Sequence, residues 1–151
     1  EFIYAVNNQM PSCEKVESVI CAPFTVLRDL VKRAGDLKIG AQNMHEKESG
    51  AYTGEVSAEM LKEIGIEWVI IGHSERRQYY NEQDVDVNRK VKALIKNDII
   101  PIICVGEDLY QREHNYQERL VKEQVKNALQ DIPGEDARKL SGMQRKRFIK
   151  R

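Results

Sequence analysis

Three observations predict an α/β fold on a parallel sheet. The sequence has four short apolar runs rich in Val and Ile, segments of helical period between them, and a regular alternation of the two. Apolar runs that are continuous and too short for a helix read as strands buried on both faces. Strand alternating with amphipathic helix forces right-handed crossovers, which put the helices outside a parallel sheet.

In chain order, residues 1 to 10, with Phe2, Ile3 and Val6 clustered, predict the end of a helix, and Pro11 to Lys15 the loop that follows. Ser18 to Ala22 is the first strand run. Leu27, Leu30, Val31 and Ala34 then fall at i, i+3, i+4 and i+7, with Gly35 where a left-handed stop belongs. Leu37 to Asn43 is the second run. Ser57 stands as an N-cap before Met60, Leu61 and Ile64, closed by Gly65. Glu67 to Gly72 is the third run, followed by a stripe of Val87, Val91, Leu94 and Ile95. Ile99 to Gly106 is the fourth, and Val121, Val125, Ala128 and Leu129 make a last stripe before Pro133 and Gly134.

The chain has 151 residues, the length of one domain, with 41% hydrophobic and 32% charged residues. No run approaches the roughly 18 apolar residues of a membrane span, and Glu1-Phe2-Ile3-Tyr4 has neither an initiator Met nor the order of a secretion signal. The expectation is a soluble chain that begins mid-domain and has no membrane partner. Cys13, Cys21 and Cys104 are odd in number, and two lie in strand runs, which predicts free thiols in a reducing, cytoplasmic setting. No C-x-x-C or paired histidines ask for a metal. Seven of the 24 bases sit in residues 138 to 151 with no acid, so residues 1 to 137 hold 17 bases against 24 acids. A short basic tail on an acidic body reads as solvated, and no nucleic-acid partner is expected.

Ligands of parallel α/β folds gather at the carboxyl ends of the strands. The third of these ends, Gly72-His73-Ser74-Glu75-Arg76-Arg77, is the richest. His73 stands where a strand gives way to a helical turn, and the positive end of a helix favours a neutral imidazole able to donate an N–H to a carbonyl oxygen. The alternative is a hydrogen-bonded structural histidine. His45 and His114 lie in polar loop sequence and read as solvated. Glu75, Arg76, Arg77 and Glu107 suit an ion-pair network, Glu82 and Asp84 suit the charged start of a helix, and Cys104 suits an inert core thiol.

Val69-Ile70-Ile71-Gly72-His73-Ser74-Glu75-Arg76-Arg77 resembles the signature of the triosephosphate isomerase family. Gly40-Ala41-Gln42-Asn43, Gly50 to Val56 and Pro101 to Glu107 resemble that family in the same order and spacing. The resemblance covers about residues 1 to 140. It implies an incomplete eight-stranded (β/α) barrel, with the second to fifth strands present and a basic tail, residues 141 to 151, outside the fold. It also implies a glycolytic and gluconeogenic isomerase interconverting dihydroxyacetone phosphate and glyceraldehyde 3-phosphate through an enediolate, without a cofactor. His73 would be the catalytic electrophile, Glu75 a second catalytic residue and Ser74 a substrate-binding one. The loop from Gln42 to Val56, with Tyr52, Thr53 and Gly54 at its tip, would form a homodimer interface.

The sequence departs from that family's pattern at three places: the Asn-x-Lys of the family's first strand does not precede Ser18, its Tyr-Glu-Pro base with the Gly-rich lid does not appear, and its adjacent phosphate-binding glycines have no counterpart here. The chain alone is therefore expected to be an inactive, truncated or frame-shifted piece, or else a non-catalytic half-barrel scaffold. Four strands leave two edges and an unclosed interior lined by Ile20, Ile39, Ile71 and Ile103 or their neighbours, which predicts a molten or self-associating species.

Overall fold

The computed structural model describes residues 1 to 9, 17 to 137 and 140, and the backbone of 144 and 145. A helix α1 (Phe2–Gln9) precedes strand β1 (Val19–Ala22). A 3₁₀ turn at Phe24–Val26 leads into α2 (Leu27–Arg33), then β2 (Lys38–Ala41), α3 (Ala58–Glu63) and β3 (Trp68–Ile71). Two helices follow, α4 (Ser74–Tyr79) and α5 (Asp84–Lys96), before β4 (Ile100–Val105). The chain continues with α6 (Leu109–Glu113), α7 (Gln117–Ala128), α8 (Gly134–Ala137) and a two-residue β5 (Gln144–Arg145). The strands lie in sequence order and every neighbouring pair is parallel.

All four expected strand runs are strands, the first shortened by a residue at its start and the others at both ends. The third crossover holds two helices, because Asn81, at φ 53°, breaks the chain between α4 and α5. The tail was expected to lie outside the fold, yet the backbone of Gln144 and Arg145 pairs with Cys104 and Val105. The rest of that tail, the Pro11 to Lys15 loop and Cys13 lie outside the described residues.

The local signals act as their chemistry requires. Ser57 Oγ accepts the Met60 N–H at 3.3 Å and caps α3, while Gly35 and Gly65 take φ values of +60° and +84° as α2 and α3 end. Within α3, however, Met60 is exposed, and Ala58 and Leu61 face the core.

The pleat divides each strand between two faces. Ile39, Ala41, Val69, Ile71, Ile103 and Val105 are buried under the helices, with Leu27, Leu61, Val87, Val91 and Leu94 packed over them. Ile70, Ile100, Ile102 and Cys104 lie on the other face and are only partly buried. Of the isoleucines expected to line the unclosed interior, Ile39, Ile71 and Ile103 belong to the helix face, and their neighbours hold the open one. Gly40 also faces the open side: a Cβ there would sit 2.7 Å from Cys21 Sγ and 3.1 Å from Trp68 Cβ. Among the described residues, no helix is long and apolar enough to cross a membrane.

Candidate functional site

The carboxyl ends of β1, β2 and β3 surround a cleft of about 450 Å³. Pro23 and Phe24 follow β1, Gln42 and Asn43 follow β2, Ile70 forms part of the floor, and His73, Glu75, Arg76 and Tyr80 come from the start and end of α4.

Gly72 allows the chain to turn out of β3. Its φ is +69°, and a Cβ would meet Cys104 O and Val87 Cγ2 at 3.1 Å each, so a larger residue there would be both strained and crowded. His73 is then the N-cap of α4. Its Nδ1 accepts the backbone N–H of Glu75 at 3.3 Å, which puts the proton of a neutral ring on Nε2. Glu75 Oε2 lies 3.4 Å from the same Nδ1, an ion pair only if the ring is protonated. The His73 side chain is 22% exposed and that of Glu75 70%, so the carboxylate stands at the cleft mouth in solvent.

Of the residues singled out from sequence, His73, Glu75 and Gln42 meet in this cleft, with Gln42 Nε2 donating to Cys21 O at 3.2 Å. Ser74 does not join them. It lines a separate cavity of about 20 Å³ with Gly72, Arg77, Cys104, Gly106 and Glu107. Tyr52, Thr53 and Gly54 stand apart on an arm whose base is closed by the His45 N–H donating to Val56 O at 2.8 Å. The Tyr52 ring lies 4.5 Å from that of His45, centre to centre. His45 thus braces the arm, where the sequence reading left it solvated.

The charged residues sort into three groups. Arg77 donates to Gly72 O at 2.9 Å and to Asp84 Oδ1 at 2.6 Å, tying the end of β3 to the start of α5. Arg112 holds the buried Glu107 at 2.9 and 3.0 Å. Glu82 differs from its reading as a helix-start charge: it is buried and pairs with Lys90 of α5, and Arg76 Nε donates to it at 3.4 Å. Lys90 also donates to Asn43 Oδ1 at 2.9 Å. The sequence marks neither Asn43 nor Lys90 as a site residue, and Arg76 only as part of an ion-pair network. The signal for Lys90 was its place between Val87 and Val91, on the edge of the buried stripe.

After β4, Gln124 of α7 clamps Gly106, accepting from its N–H at 2.8 Å and donating to its carbonyl at 3.1 Å. Burial pushes the Cys21 thiol up from 9.0 to about 11, with a smaller contribution from Cys104, so this thiol is protonated and inert near neutrality. Among the described residues, no cluster of His, Cys, Asp and Glu has the arrangement of a metal site.

The family model described as triosephosphate isomerase matches residues 1 to 141. A triosephosphate isomerase of Alkaliphilus oremlandii is 54% identical over 123 residues, covering 80% of this chain and 50% of the relative. Those of Lactobacillus helveticus and Lactobacillus delbrueckii subsp. bulgaricus are 50% and 47% identical over 142 residues, covering 93% of this chain and 56% of each relative. The chain spans about half the length of the curated relatives it matches.

Proposed function

The chain belongs to the triosephosphate isomerase family, and from that premise we propose that it carries the electrophile side of a site interconverting dihydroxyacetone phosphate and glyceraldehyde 3-phosphate. The observation that carries this reading is the His73 ring. With Nδ1 accepting a helix-terminal N–H, Nε2–H is the donor suited to a substrate carbonyl oxygen. A neutral histidine electrophile at a helix N-terminus is established for this enzyme family. Polarising the carbonyl acidifies the adjacent C–H, and the same N–H stabilises the enediolate oxygen after the proton has left. Proton transfer of this kind needs no cofactor.

Glu75, in the first turn of α4, contributes its backbone N–H to the ring and holds a carboxylate near it. Ser74 supports the turn from the side of the small cavity. The arm from Gln42 to Val56 would join two copies in a homodimer, with Tyr52, Thr53 and Gly54 meeting the partner. The exposure of Tyr52 and the bracing of the arm by His45 favour that role. Residues 1 to 140 would act as the barrel portion, working in the cytoplasm in glycolysis and gluconeogenesis.

The sequence holds no match to the family's base, phosphate lysine or lid, so the chain by itself is expected to give no measurable turnover. General base catalysis alone is typically worth about 10² to 10⁴ in rate. A coupled assay of triose phosphate interconversion tests this, first on the pure chain and then after adding the strands of a relative that this chain does not match. Turnover should appear only in the mixture and fall by about 10² or more with His73→Gln. A mixture whose turnover ignores that substitution would refute the role of His73. Association without turnover would return the scaffold reading.

A further inference from the structure

The helix α5 is a surface helix by pattern, yet it sends a lysine inward to a point where three elements of the cleft meet. Lys90 is buried, with its side chain 9% exposed. Its ammonium donates to Asn43 Oδ1 at the end of β2 and to Glu82 Oε1 in the link between α4 and α5. Glu82 is held to α4 twice: its N–H donates to Arg76 O at 3.2 Å, and its Oε1 accepts from Arg76 Nε at 3.4 Å. The Arg76 guanidinium in turn lies over the Tyr80 ring, 4.8 Å from its centre.

We propose that Lys90 is a positioning residue for the cleft beside His73: its ammonium turns the Asn43 amide and fixes Glu82, which anchors Arg76 in the cleft wall. This rests on the reading of that cleft given under Proposed function. The chemistry is directional. An amide whose oxygen is taken by an ammonium must direct its NH₂ elsewhere, and Asn43 lines the cleft, so Lys90 makes Asn43 a donor there. Charge-assisted bonds inside the protein are the strong ones, and a carboxylate already shared with a lysine holds the arginine in one place. Lys90 itself does not line the cleft.

A buried ion pair is weak evidence for stability, because replacing both partners by apolar groups often costs nothing, whereas removing one strands a charge. That difference separates positioning from scaffolding. On the chain as it stands, NMR of the Arg76 Nε–H and the Asn43 side-chain NH₂ is compared between wild type, Lys90→Met, and the double variant Lys90→Met/Glu82→Leu. Lys90→Met leaves the buried Glu82 with Arg76 as its remaining cationic partner, so it is expected to lower the urea midpoint. The double variant is expected to recover the midpoint while Arg76 Nε–H exchanges with solvent about tenfold faster or more and the Asn43 NH₂ signals collapse. Unchanged signals in the folded double variant would overturn the proposal. So would a wild type whose Arg76 N–H already exchanges like that of free arginine, or a double variant that fails to fold, which would make the pair purely structural. The readout needs no turnover, so an inactive complemented barrel with these signals intact would fail only the functional reading.

Discussion

Ile70 and Ile71 are neighbours in β3, yet Ile71 is fully buried beneath the helices while Ile70 is part of the floor of the open cleft. The same contrast runs through β4, where Pro101, Ile103 and Val105 are buried and Ile100, Ile102 and Cys104 are only partly so. The helix face is finished by this chain, because α2, α5 and α7 each pack on the strands they follow or precede. On the open face Gly40 and Trp68 are buried, while Ile70, Ile100, Ile102 and Cys104 stay partly exposed. The candidate site stands at the rim between the two faces. Its capping turn and ion pairs belong to the helix side, and its mouth belongs to the open side.

Breaking the finished face should give the largest effect. Leu94 of α5 is fully buried, so Leu94→Ala should lower stability by about 2 to 5 kcal/mol, the range for a large-to-small change in a close-packed core. Ile102→Ala, on the open face, should cost well under half of that in the same urea titrations. Equal costs would mean that the two faces are equally covered in solution.

A smaller effect is expected at the edge of the finished layer. Ser57→Ala removes the oxygen that caps α3 and should cost about 1 kcal/mol. Ser57→Gly should cost only a few tenths, and the comparison is read from thermal or urea unfolding. No loss in the Ala variant would show that the cap contributes nothing.

An effect that vanishes near neutrality concerns the open face and alkaline pH. The folded thiol of Cys21 titrates near 11 instead of 9.0, so folding favours its neutral form. Its contribution is fully present below pH 9 and is lost as pH rises toward and through about 11. Cys21→Ala should therefore flatten the fall in urea midpoint across that window. An identical fall in both chains would mean that Cys21 is solvated.

Much of this arrangement is legible in the sequence, and the parts that are not share a cause. The strands were visible because their runs are continuous and apolar, but that same continuity hides which residues face the helices. Without a polar residue at every second position, nothing tells Ile71 from Ile70. Ser57, Gly35 and Gly65 announced helix ends through local chemistry, which needs no knowledge of the fold. His73 was visible from its motif and its place after a strand. Lys90 and Glu82 were not, because a charged residue on a helix or in a link reads as solvated until the packing beneath it is known. Met60 erred in the opposite sense: an apolar residue in a short helix has too few turns around it to fix the buried side.

Because the described residues complete one face of the sheet and leave Ile70, Ile100 and Ile102 partly exposed on the other, the chain should self-associate in place of forming a molten state. Sedimentation velocity with a hydrophobic dye tests it most directly, on wild type and on Ile70→Lys/Ile102→Lys. Wild type should associate and bind the dye, and the double variant should shed both properties while keeping its cooperative unfolding. A wild-type chain that sediments as a compact monomer and binds no dye would contradict it.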